Sequence, residues 1–199
     1  EKYKKNIPYF ISNILFDLNE YQNMVDYLEP ILDSTTCFNY PDLVLLQGKA
    51  LYHLQQYSPS IVYFEEYKTL IDHLNKEQLY QIGFAYYKTQ LYGFSIDHFN
   101  KISTSEIDTI SQYAFYYLGD AYRQINNKTE AMNAFRSAAL LDLDSLIQHD
   151  AFYQFVLMCY EDGNPLYDTV DYLSRFLVKY PHSEHAEEIY RCLANTHIN

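Results

Sequence analysis

The feature that most constrains this chain is a short pattern that returns at nearly constant spacing. An aromatic or aliphatic residue is followed three positions on by a Leu-Gly, Ile-Gly or Gln-Gly pair. An aliphatic residue or Tyr comes next, then a small residue and an aromatic. The sharpest copy is Phe115, Leu118, Gly119, Tyr122, Ala131, Phe135, Ala138. The copy before it is Leu79, Ile82, Gly83, Tyr86, Ser95, Phe99, Ile102, and the one before that Val44, Gln47, Gly48, Leu51, Ser60, Phe64, Tyr67. The three glycines lie 35 and 36 residues apart, with the internal spacings held. A period of this size marks a repeat architecture, in which each unit buries its apolar face against its neighbours. Weaker copies flank these: Ile11, Leu15, Met24, Leu28 and Ile31 with Ser12 in the glycine slot, and Tyr153, Val156, Leu157, Tyr160, Thr169, Leu173, Phe176 and Pro181. Leu193 and Ala194 open one more, giving five repeats and one extra helix.

Each repeat reads as two helices. From Ser111 the apolar residues Phe115, Leu118, Tyr122 and Ile125 recur at three- and four-residue steps, one stripe of an amphipathic helix. Glu130–Leu141 carries a second stripe: Ala131, Ala134, Phe135, Ala138 and Leu141. The polar turn between them, Ile125-Asn126-Asn127-Lys128, contains Asn residues, which tolerate left-handed φ. Five Gly and six Pro are too few for a hairpin-rich β fold. Asn75 followed by Gln78 predicts a capping box. Pro41 and Pro59 suit first helical turns, where the missing N–H costs nothing. The 23 Tyr, with no Trp, fit half-buried helix positions, because the ring is apolar and its tip polar.

The pattern resembles the tetratricopeptide repeat, a helix A, turn, helix B unit of about 34 residues, over nearly the whole chain. The resemblance implies an all-α fold, a right-handed α-solenoid of stacked helix hairpins. It divides residues 1–199 as a single array at about 5–39, 40–75, 76–110, 111–148 and 149–185, with an extra helix over 186–199. The longer period and the loss of the closing Pro except at Pro181 depart from the family. Ser103-Thr104-Ser105 and Asp142-Leu143-Asp144 at the B-to-A turns supply the added length. Tyr180-Pro181-His182-Ser183 resembles a helix-B ending of bacterial envelope members, which favours a periplasmic or outer-membrane-associated location, with the cytoplasm as alternative. The chain opens Glu1-Lys2-Tyr3 without Met, as expected of a piece of a longer protein.

Charge and motif content narrow the function. A formal net charge of -12 disfavours nucleic acid and anionic lipid, both of which bind through Lys and Arg. The apolar runs, such as Leu43–Leu46 and Phe152–Tyr160, are far short of the roughly 20 residues that span a bilayer, so no direct membrane insertion is expected. Cys37, Cys159 and Cys192 have no disulfide or metal-knuckle spacing and read as three free thiols, acting as small apolar residues. No nucleophile elbow, phosphate loop or metalloprotease motif occurs, so no enzyme activity and no cofactor or metal site is expected. His182 and His185 share a helix-start face, which hints at metal, but with no Cys or third His nearby in sequence they read as solvated; so do Asp142 with Asp144 and Glu187 with Glu188.

What remains is a binding scaffold. In the family the resemblance names, the concave face is built from fixed positions of helix A. These fall on Tyr9, Asn13 and Phe16, then Leu45, Lys49, Tyr52 and His53, then Tyr80, Phe84, Tyr87 and Lys88. Tyr113, Tyr116, Asp120 and Arg123 follow, and Gln154, Met158 and Glu161 come last. The expected groove is Lys49, Tyr52, Tyr80, Phe84, Tyr87, Lys88, Tyr116 and Arg123, holding a peptide or protein segment whose acidic groups meet the Lys and Arg residues. The clamp for a C-terminal carboxylate found in some members is absent: Tyr9 stands where its first Lys belongs, and Asp42 and Leu46 fill later basic positions. A carbohydrate- or small-ligand-binding module and a helical accessory domain of a larger enzyme stay open as alternatives. The lack of Trp counts against the first.

Overall fold

The computed structural model describes residues 4–33, 37–102, 106–162 and 168–196. Among these the regular structure is a short 3₁₀ turn (Lys4–Asn6) and eleven α-helices, with no strand. The chain divides into two compact units, 1–98 and 99–199. The first holds α1 (Ile7–Asp17), α2 (Tyr21–Leu32), α3 (Tyr40–His53), α4 (Tyr57–Leu70) and α5 (Lys76–Lys88), and α6 (Tyr92–Phe99) closes it. The second holds α7 (Thr109–Gln124), α8 (Lys128–Leu140), α9 (Ser145–Asp162), α10 (Thr169–Lys179) and α11 (Ala186–Thr196). Ser103-Thr104-Ser105, His197 and the end of the extra helix expected to Asn199 lie outside the described residues.

One turn geometry joins the helices of four hairpins. Asn19, Gln55, Gln90 and Asn126 all have φ near +60° (59, 60, 62 and 60°). In each turn the left-handed residue's N–H donates to the carbonyl three residues back, and the next N–H donates to the carbonyl five back, as in Gln55 N→Tyr52 O and Gln56 N→Leu51 O, both 2.9 Å. This double closure satisfies helix-end carbonyls. Asn126 meets the expectation for its turn. Gln55 and Gln90 adopt the same conformation with a side chain that does not favour it.

Other helix ends follow local chemistry. Asn75 and Gln78 form the expected capping box of α5. A second box, Asp108 with Ser111, starts α7 at Thr109, two residues before the predicted start. Helix α4 begins at Tyr57, so Pro59 falls inside its first turn.

Two of the repeat glycines, Gly48 and Gly119, are packing notches. A Cβ on Gly48 would lie 2.9 Å from the Phe64 ring, and one on Gly119 would lie 2.9 Å from Cδ1 and Cγ of Phe135. The group nearest Gly119 is therefore the Phe135 ring. The small slot has its own role: Ser60, the counterpart of Ala131, donates Oγ to the Gly48 carbonyl at 2.8 Å. Phe64 and Phe135 are both fully buried. Around them lie the unit-1 cores built on Met24, Leu28, Leu43 and Val44 and on Phe64, Ile82 and Tyr86. The unit-2 core contains Phe135, Phe155, Leu173, Phe176 and Ile189. Cys159 and Cys192 are buried free thiols, while Cys37, also free, is only half-buried. Tyr67, Tyr86 and Tyr153 are buried and Tyr190 is exposed; every other described Tyr is half-buried.

Candidate functional site

The turn geometry places two aromatic rings side by side at the end of each unit-1 hairpin. The last turn of helix A supplies one ring, and the first residue of helix B, five positions on, supplies the other. The pairs are Phe16–Tyr21, Tyr52–Tyr57 and Tyr87–Tyr92, edge-on at 5.4, 5.7 and 5.9 Å between centroids. Other rings link these rungs. His53 lies flat on Tyr21 (4.6 Å, 7°) and meets Phe16 and Tyr52 edge-on. Phe84 touches Tyr52, Tyr57 and Tyr80 at 5.9 Å each and Tyr87 at 6.1 Å. The Lys88 ammonium sits 5.8 Å from the Phe84 centroid and 6.0 Å from that of Tyr57. The result is one run of contacting rings within the first unit, with a cation over its middle, geometry in which edge-to-face and cation–π attraction both act.

Of the expected groove residues, Tyr52, Tyr80, Phe84, Tyr87 and Lys88 are thus brought together. Lys49 instead reaches across to Glu77 of α5 at 3.1 Å. Asn13 donates to the Tyr9 carbonyl of its own helix at 2.7 Å, and Leu45 packs into the core. Tyr21, Tyr57 and Tyr92 were outside the expected set because they belong to helix B. Their spacing of 36 and 35 residues, each five after the helix-A ring, was present in the sequence.

The remaining expected residues lie in the second unit, with partners on neighbouring helices. Tyr113 donates its hydroxyl to Asp144 at 2.7 Å, Tyr116 to Asp150, and Tyr153 to Glu188 at 2.7 Å. Arg123 pairs with Asp120 and donates to Gln154 at 2.8 Å. Tyr116 (5.8 Å, edge-on) and Arg123 (5.9 Å) both flank the Phe135 ring. These side chains tie α7 to α9 and α9 to α11. With few Lys and Arg to answer the acids, tyrosine hydroxyls do so. The bonds hold the phenols neutral: Tyr113 is pushed up to about 12 by its bond to Asp144 and by burial. Tyr153 also rises to about 12, through burial and the Glu188 bond. Tyr116 is raised further, by burial and Asp150.

Three expectations change. Asp144 and Glu188 are not solvated faces. Asp144 accepts N–H bonds from Leu146 and Ile147 (2.9 and 3.1 Å), capping α9, and its carboxyl is held low first by Tyr113 and then by the Ile147 N–H. Also, the positive charge expected of Lys49 and Arg123 is answered by Glu77 and Asp120. Finally, His185 is not solvated as expected: it is half-buried and stacks on Tyr153 at 3.7 Å. Among the described residues no group of three His, Cys, Asp or Glu is gathered to hold a metal, and no helix is long and apolar enough to cross a membrane.

The tetratricopeptide repeat family model matches residues 113–140, the α7–α8 hairpin whose glycine notch and turn recur along the chain. This hairpin matches the tetratricopeptide repeat, and the chain has the fold of stacked repeats of that kind. Solved structures share the architecture. A MamA fragment from Desulfovibrio magneticus RS-1 is 16% identical with TM-score 0.68, covering 91% of this chain and 97% of its own. YrrB, described as a TPR protein with an unusual peptide-binding site, is 16% identical with TM-score 0.70, covering 90% and 88%. A tetratricopeptide repeat protein from Parabacteroides merdae ATCC 43184 is 14% identical with TM-score 0.67, covering 96% and 73%. At such identities the likeness concerns the fold. Comparison with curated protein sequences finds no match.

Proposed function

We propose that this chain is a non-enzymatic protein-interaction scaffold, and that the ring strip of its first unit receives a peptide or protein segment. The observation that carries the proposal is the unbroken aromatic run from Phe16 to Tyr92 with Lys88 above Phe84 and Tyr57. Half-buried rings present broad contact area at low entropic cost, the usual composition of a binding hot spot. The fold agrees, since stacked repeats present extended surfaces to partners, and YrrB is a fold relative described by its peptide-binding site. Because Lys49 is neutralised in place, the ligand is expected to contact the strip mainly through apolar or aromatic side chains, with one acidic group near Lys88.

The test uses peptides selected on the full chain from a displayed random library. Binding is remeasured on Phe84→Ala, Tyr87→Ala and Lys88→Glu alongside thermal unfolding. Tyr87→Ala and Lys88→Glu are expected to cost roughly 1 kcal/mol or less in stability, and Phe84→Ala, which touches four rings, somewhat more. All three should weaken binding at least tenfold. Stability losses of about 3–5 kcal/mol, the range for deleting a core aromatic, would instead make the strip internal packing. Selected peptides that ignore all three changes would place the binding surface elsewhere.

A further inference from the structure

A second surface in the chain has the opposite character. In the second unit, α8 and α10 both pack on α9 and leave a cleft between them of about 240 Å³. Its lining contains Phe152 and Phe155 of α9, Tyr172 of α10, and Ala139 and Leu140 of α8. Phe155 is buried and meets Tyr172 edge-on at 4.9 Å. Cations complete the lining: Arg136 from α8, and Arg175 and Lys179, one helical turn apart, from α10. The whole chain has 14 Lys and Arg against 26 Asp and Glu. Three of those 14 converge on one cleft. Asp171 steadies Arg175 through Nε at 2.7 Å.

We infer that this cleft is a separate docking site for an acidic segment of another protein, in which an apolar side chain enters the cleft and flanking carboxylates meet Arg136, Arg175 and Lys179. Size and charge select that occupant. Small-molecule sites usually enclose about 300–1,000 Å³; this cleft is smaller and suits one large side chain. Its apolar lining requires an apolar group, and Arg136 and Lys179, beside an Arg175 already paired with Asp171, favour acid next to it. A long polyanion such as nucleic acid meets the repulsion of the net charge of -12 beyond the cleft. The competing account is that the three long side chains merely cover apolar surface with their methylene stems. Such a covering has no preference for a ligand combining acid and apolar groups. The site rests on its own residues and is independent of the ring strip.

The experiment measures fluorescence anisotropy of labelled ten-residue peptides against the full chain. One peptide has a central Leu-Phe pair flanked by Asp and Glu; a second keeps the acids and replaces Leu-Phe with Ser-Ser; a third keeps Leu-Phe and replaces the acids with Lys. The first is expected to bind at least tenfold more tightly than the other two and to weaken as salt rises. Arg136→Glu with Arg175→Glu should reduce that binding at least tenfold. Both residues are exposed, so unfolding temperature should hold. Tyr87→Ala should leave this binding unchanged, which separates the cleft from the strip. Equal binding of the first two peptides, or binding indifferent to the double charge reversal, would overturn the inference. So would a self-associating chain that the double reversal converts to monomer in sedimentation, because the occupant would then be a second copy.

Discussion

The glycine notch offers a test in which one substitution should act in opposite directions at two positions. Gly119→Ala replaces the poorest helix former short of Pro with the best, a gain of about 1 kcal/mol in a helix interior. The new Cβ would lie 2.9 Å from both Cγ and Cδ1 of Phe135. That ring cannot yield cheaply: it is 0% exposed, and Tyr116 and Arg123 flank it. Overpacking a tight core costs about 1–3 kcal/mol, so the net expectation is a loss of up to about 2 kcal/mol. Gly93 is the control. It is exposed, the second residue of α6, and a Cβ there meets nothing within 4 Å, so Gly93→Ala should gain up to about 0.5 kcal/mol, less than in a helix interior. Urea unfolding followed by circular dichroism supplies the comparison, with slopes checked because repeat arrays can leave two-state behaviour. A double-mutant cycle with Phe135→Leu then assigns the cost, since removing the ring should relieve much of the penalty. If Gly119→Ala stabilises as much as Gly93→Ala, the close approach of α7 and α8 is wrong.

Three further outcomes follow from particular contacts. Gln112 is fully buried; its Nε2 donates to the carbonyls of Ala138, Leu141 and Asp144 (3.2, 2.7 and 3.2 Å), and its Oε1 accepts from the Asp144 N–H at 2.7 Å. Gln112→Leu should therefore cost about 1–3 kcal/mol in denaturant unfolding, since it strands the Asp144 N–H, while the three carbonyls keep the Leu141 N–H, the Gln148 side chain and the Gln148 N–H as donors; a change near zero would refute the staple. Gln55→Gly should raise stability by about 0.5–1 kcal/mol, the relief of left-handed strain less the added freedom of the unfolded chain. A loss in urea titration would count against the assigned φ. His149 has its pKa lowered from 6.5, first by burial and then by His185, against the opposing pull of Asp150 and Glu184. The unfolded state therefore binds the proton more readily. Its contribution to stability is complete above pH 6.5 and falls away as pH drops through the folded value. Melting temperature from pH 7.5 to 5 should decline less steeply in His149→Asn than in the parent, and parallel slopes would remove His149 as the cause.

The sequence by itself determined the period, the two helices per repeat and the glycine notches, because each is a local consequence of residue spacing. An apolar stripe at three- and four-residue steps makes a helix whatever it packs on, and a Gly at the same phase of three copies demands a common neighbour. The caps at Asn75 and the turn at Asn126 were legible for the same reason: donor and acceptor lie within a few residues. What the tyrosines do was decided only in tertiary structure. Tyr52, Tyr87 and Tyr116 all looked alike as helix-A surface residues. Tyr52 meets Phe84, 32 residues on, and joins a strip of rings; Tyr116 meets Asp150, 34 residues on, and becomes a strut between helices. The identity of the residue one repeat away sets that outcome, together with the exact rotation at which neighbouring helices pack. The shared Schellman-like turn acts similarly: it brings residues five apart into ring contact, and neither the 3.6-residue period of a helix nor helix-A positions taken alone reveal that pairing.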